Sequence, residues 1–237
     1  MLTIDCGNTR LKWGLFEGER LIESGSLPLI ELGMLARRLP SPLPQRVMVS
    51  NVAGERAAVE IRAALEGHGR LIRWVRAQPE QCGVRNAYTD PAQLGADRWA
   101  ALIGARHLHR GPCLVVMAGT ATTVDVLDGD GNFRGGLILP GFELMRQSLT
   151  RNTAQLRDQP GAYAELPRNT ADAIASGCLQ AQIGAVERMF RPMAALSDAV
   201  CMVSGGAAQP LADRLDCPKR LEPHLVLHGL RCIGEAS

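Results

Sequence analysis

Two short segments bring together residue types that handle phosphate. In Asp5-Cys6-Gly7-Asn8-Thr9-Arg10-Leu11-Lys12, a carboxylate at the end of an apolar run can hold Mg²⁺, directly or through water. Gly7 lets the backbone approach an anion, and Asn8 and Thr9 offer polar groups to phosphate oxygens. Lys12 adds a compact, mobile charge, and it is one of only two lysines, with Lys219, among 26 basic residues. Asp, Gly and Asn are also the residues of a tight hairpin turn, so this segment alone supports a phosphate loop and a plain turn equally. The second segment, Gly119-Thr120-Ala121-Thr122-Thr123-Val124-Asp125, has small residues and hydroxyls dense enough to wrap a triphosphate from the opposite side. Threonines alternating along an ordinary strand would read the same way.

The two segments occupy matching places in an internal repeat. Leu114 lies 112 residues after Leu2, and the same offset, without gaps, places Gly119 on Gly7, Leu127 on Leu15 and Leu139-Pro140 on Leu27-Pro28. In each copy an apolar strand meets a Gly-Asn or Gly-Thr turn, a second strand follows, and a third strand ends at the proline. Two matched meanders half a chain apart imply duplicated α/β domains, 1–111 and 112–237, with the boundary at Gly111-Pro112. Two hairpins facing each other, with Gly205-Gly206 giving close backbone access from a third direction, would make a nucleotide clamp.

The remaining elements follow from local pattern. Residues 46–52 and 71–75 read as strands and 55–67 as a helix between them. Asp90-Pro91 reads as an N-cap followed by proline at the first helical position, opening one helix through Trp99, Leu102 and Ile103. Ile174, Cys178, Ala181, Ala185 and Met189 form an apolar helical stripe, suited to a subunit interface or to a buried intradomain helix. Residues 200–204 read as a strand entering Gly205-Gly206.

Composition narrows the class. With 26 basic and 24 acidic residues the formal charge is +2, which gives no basic field for nucleic acid. The longest uncharged runs, 111–124, 173–186 and 199–212, have 14 residues each, fewer than the roughly 20 needed to span a bilayer. The chain reaches Asp5 at once, with no basic segment and long apolar stretch before it, so no export signal is expected. Seven scattered cysteines without a Cys-x-x-Cys pair read as reduced, mostly buried thiols in a cytoplasmic protein. His68, His107, His109, His224 and His228 have no convergent partners and are expected at the surface or at helix ends.

The series 5–9, then Gly95-Ala96-Asp97-Arg98, then 119–125, then Gly135-Gly136-Leu137-Ile138-Leu139-Pro140-Gly141 with Ser148 after it, resembles type III pantothenate kinase over nearly the whole chain. That family lies in the superfamily of acetate and sugar kinases, heat-shock ATPases and actin. The resemblance implies duplicated ribonuclease H-like, actin-like ATPase domains, with mixed sheets flanked by helices and an ATP cleft between them. It implies ATP-dependent phosphorylation of pantothenate to 4′-phosphopantothenate, the first step of coenzyme A synthesis. A cytoplasmic homodimer would carry this out with Mg²⁺ and a monovalent cation, K⁺ or NH₄⁺, and with no nucleic-acid or membrane partner.

Carried over by position, residues 5–12 become the ATP phosphate loop with Asp5 at the metal, and Thr120 becomes a second ATP contact. Asp97 becomes the proton acceptor, since an alcohol attacking a γ-phosphate benefits from a carboxylate that orients it. Gly95, Ala96, Asp97, Arg98 and Tyr88 would border pantothenate, with Arg98 a counter-charge for its carboxylate. Thr170 would touch substrate, while Asn169 or Thr170 is also well placed as a helix N-cap. Without the flanking motifs, Asp97-Arg98 would read as a solvated helix surface.

One position departs from the family. The aspartate that opens its second hairpin and serves the monovalent-cation site is Met117 here, and Met117 is also the counterpart of Asp5 in the repeat. A thioether is no substitute for a carboxylate at a hard cation, so either the potassium requirement is relaxed, or the cation is held by other oxygens, or activity is weak. Three other readings stand beside the first: another small-molecule kinase of the superfamily, a regulatory accessory factor for transcription, and an ATP-binding pseudoenzyme. Residues 95–98 with Tyr88 favour pantothenate over other kinase substrates.

Overall fold

The structure, a computed structural model, describes residues 1–65, 71–152 and 159–236. Chain compactness divides them into two units. One comprises Met1–Arg110, Gly131–Arg134 and His224–Ser237, the other Gly111–Asp130 and Gly135–Pro223. A single cut at 111/112 would instead leave the last helix with the second unit.

The first unit opens with an antiparallel meander, β1 (Leu2–Cys6), β2 (Arg10–Glu17) and β3 (Arg20–Pro28). A 3₁₀ turn at Leu29–Met34 and the short α1 (Leu35–Arg38) lead to β4 (Arg46–Asn51), α2 (Glu55–Leu65) and β5 (Leu71–Trp74). Because β4 runs parallel to both β1 and β5, the sheet order is β3-β2-β1-β4-β5. Leu2, Ile4 and Cys6 alternate onto one face of the central strand, as period-2 geometry requires, and pack with Leu11, Val49 and Ile61 in one core. The expected helix over 55–67 is α2, and its last two positions, like His68, lie outside the described residues.

Short β6 (Glu80–Gln81) and β7 (Val84–Asn86) pair antiparallel, and α3 (Ala96–Leu108) follows. The expected continuous helix from Asp90 is broken here. Asp90 does cap a helix, its Oδ1 accepting from Ala92 N at 3.0 Å, but that helix is one 3₁₀ turn, Pro91–Gln93. Leu94 (ψ 127°) and Gly95 (ψ 139°) are extended, so α3 makes a fresh start at Ala96.

The second unit repeats the opening with β8 (Cys113–Ala118), β9 (Ala121–Leu127) and β10 (Asn132–Pro140). Shifted by the repeat offset, β3 coincides with β10 residue for residue. The first residues of β10 belong to the first unit, where Asn132 and Phe133 run parallel to Arg85 and Asn86 of β7. Then come α4 (Phe142–Asn152), α5 (Thr170–Phe190), β11 (Val200–Ser204), α6 (Ala208–Ala212) and β12 (Lys219–Leu221), giving the order β12-β11-β8-β9-β10. As β4 does to β1, β11 runs parallel to β8.

The buried stripe of α5 is not the one expected. Ala175, Leu179, Gln182, Val186 and Phe190 face the core, whereas Ala181 is exposed and Ile174, Ala185 and Met189 are only half-buried. The core face is therefore rotated by about one residue, and it takes in a polar side chain, Gln182, because Thr122 Oγ1 donates to Gln182 Oε1 at 3.0 Å.

The chain then returns to the first unit as α7 (Leu225–Glu235), which packs along α3. The two helices touch backbone to backbone: a Cβ on Gly104 would lie 2.3 Å from Leu225 O, and one on Gly229 would lie 1.7 Å from Ala100 O. Only glycine at both positions permits that approach. His107, His109 and His224 sit at helix ends as expected, but His228 lies within α7, half-buried, its ring edge-on to Phe16 with the centroids 5.3 Å apart. All seven cysteines are free, and Cys6, Cys113, Cys178 and Cys201 are buried.

Candidate active site

Asp5 is the penultimate residue of β1, in register with Lys12 on β2 and with Ser50 on β4. Asp5 keeps some surface as a residue, yet its Oδ1 is closed to solvent and has no hydrogen-bond partner. Ser50 is fully buried, and its hydroxyl stands beside the carboxylate without completing a hydrogen bond to it. Burial, and then the nearby negative charge of Asp97, raise the Asp5 carboxyl to about 7, while Lys12 and Ser50 pull it down without cancelling the rise. Asp5, Lys12 and Asp97 thus share one electrostatic neighbourhood.

The rest of the 5–12 segment splits into core and tip. Cys6 and Leu11 are fully buried in the apolar cluster, and burial followed by the Asp5 charge pushes the Cys6 thiol up to about 11, which keeps it neutral. Gly7 N donates to Arg10 O at 3.1 Å, closing the turn, and Arg10 Nη2 donates to Ser26 Oγ at 2.8 Å. Asn8 and Thr9 are exposed at the tip and line a groove of about 590 Å³ with Pro28, Arg56 and Glu60.

Asp97 occupies the first turn of α3, and Gly95 is that helix's N-cap, followed by Ala96. Asp97 Oδ1 accepts from Arg98 N at 2.8 Å, and a helix N-terminus favours negative charge. Arg98 is only 5% exposed, so Asp97-Arg98 is not the solvated pair that composition alone would allow. Arg98 Nη1 donates to Tyr88 Oη at 3.0 Å, and its guanidinium lies 5.7 Å from the Tyr88 ring and 5.9 Å from Phe133. Gly95 and Ala96 border a second groove, of about 910 Å³, walled also by Asn51, Arg62 and Trp74.

Two expected site residues lie in the second unit. Thr120 sits exposed in the turn between β8 and β9, its carbonyl accepting from Gly141 N at 2.8 Å. Thr170 is the exposed first residue of α5, and the cap itself is Asn169, whose side chain accepts from Asp172 N at 2.9 Å. Beside Thr120, Gly205 and Ala207 approach the end of β8, with Ala207 N donating to Ala118 O at 3.0 Å. Met117 holds the place in β8 that Asp5 holds in β1, in register with Thr123 and Ser204.

Three residues here were not read from the sequence: Ser50, Phe133 and Gln182. A polar residue inside the apolar 46–52 run was the only local sign of Ser50.

Among the described residues no group of three or more His, Cys, Asp or Glu could hold a metal ion. The described residues therefore provide no dedicated protein cage. The donor set suits Mg²⁺ bound through one or two carboxylates, with water and phosphate oxygens filling its shell. The enclosed, unpartnered Asp5 Oδ1 fits that role.

Comparison with known proteins adds four findings. The sequence model of type III pantothenate kinase matches residues 1–192. The type III pantothenate kinase of Aromatoleum aromaticum is 55% identical over 235 residues, covering 99% of this chain and 97% of that protein. Among solved structures, a Campylobacter jejuni protein assigned to the Baf family of transcriptional activators superposes with a TM-score of 0.65 at 20% identity, covering 99% and 98% of the two chains. The activator of 2-hydroxyisocaproyl-CoA dehydratase from Clostridium difficile, solved with bound ADPNP, superposes with a TM-score of 0.51 at 12% identity, covering 99% and 93%. Likeness at these identities concerns the fold, which is that of the actin-like ATPases and sugar kinases.

Proposed function

The chain belongs to the type III pantothenate kinase family, and from that premise we propose how its own residues divide the work of phosphorylating pantothenate. The reaction moves the γ-phosphoryl group of ATP to the pantothenate hydroxyl, giving 4′-phosphopantothenate, the first step of coenzyme A synthesis.

Asp97 orients the hydroxyl and takes its proton as the phosphoryl group leaves ATP. Its fixed position in the first turn of α3 supports this, because a carboxylate that orients an alcohol must itself be held. Asp5 would hold Mg²⁺, which would supply neutralising charge to the phosphates. Asn8, Thr9 and Lys12 serve the phosphates at the first hairpin and Thr120 at the second, while buried Cys6 and Leu11 anchor the loop from below. Arg98, steered by the Tyr88 hydroxyl, pairs with the pantothenate carboxylate, and its burial strengthens that pairing. Gly95 and Ala96 border the substrate, and Thr170 contacts it.

The side chain of Met117 offers a hard cation no oxygen, so K⁺ or NH₄⁺ is either dispensable to this chain or held by other oxygens.

We take the working form to be a homodimer in the cytoplasm. Leu137, Ile138, Leu144 and Leu149, all exposed on β10 and α4, supply apolar surface for a second copy, and seven free thiols suit a reducing compartment. No described helix is long and apolar enough to cross a membrane.

The observation that carries the mechanism is the fixed Asp97 carboxylate at the start of α3, Oδ1 held by Arg98 N at 2.8 Å, with its charge felt by the buried Asp5 carboxyl. Its test is a coupled ADP-release assay with pantothenate. Asp97→Asn is expected to lose about 10²–10⁴-fold in kcat while keeping ATP affinity. Wild-type turnover in that variant would remove Asp97 from the base role. ATP binding without pantothenate-dependent ADP release in the wild type would replace the kinase reading with a pseudoenzyme.

A further inference from the structure

Ser50 carries an unmet hydrogen bond that the reaction as described does not use. It is fully buried, and its oxygen has no hydrogen-bond partner in the protein. A buried hydroxyl left unpaired costs folding stability, so such an atom is satisfied only by something that binds beside it. It is not isolated. The parallel register of β1 and β4 sets Ser50 next to Asp5, residues in register project from the same face of the sheet, and Asp5 Oδ1 is also enclosed and unpaired. The duplicated site has the same register without the carboxylate: Ser204, also buried, stands beside Met117.

We propose that Ser50 is a positioning residue of the divalent-cation site, its hydroxyl holding a cation-bound water beside Asp5. The proposal rests on the assignment of Mg²⁺ to Asp5. Mg²⁺ keeps several of its waters, and each bound water is a hydrogen-bond donor in search of an acceptor. The Ser50 oxygen is such an acceptor, and its own proton remains available to the Asp5 carboxylate, so a single water satisfies both orphaned atoms through one hydroxyl. Outer-shell partners of this kind orient the inner ligand, and losing one commonly costs 10–100-fold in metal affinity.

The test separates this role from a structural one by measuring ATP affinity calorimetrically with Mg²⁺ and with chelator. The quantity read is the gain in affinity that the metal brings. Ser50→Ala is expected to cut that gain about tenfold or more, to leave metal-free ATP affinity within about twofold, and to melt no lower than the wild type, because an unpaired buried hydroxyl has been removed. In an Asp5→Asn background the same substitution is expected to cost nothing further. An unchanged metal-dependent gain in Ser50→Ala overturns the proposal, as does an equal loss with chelator present, or a full additional loss in the Asp5→Asn background. Pantothenate-dependent ADP release by the wild type is followed in parallel. Turnover together with an unaffected Ser50→Ala gain overturns the Ser50 role alone, whereas absence of both turnover and metal-dependent gain in the wild type overturns the kinase reading with it.

Discussion

Gly95 and Asp97 compete for one volume: a Cβ built on Gly95 would lie 2.6 Å from Asp97 Oδ1. The carboxylate folds back over the helix N-terminus because nothing projects from the N-cap. Any side chain at 95 must move it, and sub-ångström placement of a base matters greatly to rate. Gly95→Ala is therefore expected to lower kcat by about tenfold or more with little change in melting temperature. Steady-state kinetics beside a thermal melt checks this, and unchanged kcat would mean that Asp97 tolerates displacement.

Asp5 makes stability depend on pH in an unusual direction. Its carboxyl is raised to about 7 in the folded chain, against an ordinary 3.8. Between those values the folded state holds a proton that the unfolded state has lost, so stability falls as pH rises through this window and levels off above it. Asp5→Asn removes the proton. Denaturant melts at pH 5 and pH 8 are expected to show a larger loss on going to pH 8 in the wild type than in Asp5→Asn. Equal losses would place the Asp5 carboxyl in the ordinary range.

Met117 predicts indifference to the monovalent cation. At fixed ionic strength, pantothenate-dependent ADP release is expected to agree within about twofold in potassium, ammonium and sodium chloride, since the side chain at this position offers no hard ligand. A steep fall in sodium would mean that other oxygens hold the cation.

The contact of α3 with α7 predicts a large stability effect far from the chemistry. A methyl group at 229 would collide with Ala100 O, and a backbone carbonyl cannot swing aside as a side-chain tip can. Gly229→Ala is expected to destabilise by about 1–3 kcal/mol or more, as overpacking does. Urea denaturation measures it, and a change below about 0.5 kcal/mol would mean that the helices separate easily.

The two meanders were legible because their signals are local. Strand alternation and Gly/Asp turns sit within a few residues, and the repeat offset carries β3 onto β10 without a slip. What was missed depends on partners distant in sequence. Gln182 is buried because Thr122, 60 residues away, bonds to it, and Ala181 is too small for its type to decide which way it faces. Ser50 gains meaning only through its register with Asp5, 45 positions earlier. The Asp90 cap is legible in the sequence, but a cap fixes where a helix starts and not how far it runs. For the site, the residue types at 5, 97 and 98 were visible in the sequence, while the burial of Arg98 and its hold on Tyr88 were not.

The return of α7 to the first unit sets an order on biosynthesis. Every segment of the second unit lies between Gly111 and Pro223, so all of it has emerged while the first unit still lacks the helix that covers α3. The half of the protein translated first is thus finished last. A nascent chain stalled before His224 would expose the apolar face that Leu225, Leu227 and Leu230 otherwise help to close. That interval is when a chaperone would find the most to hold.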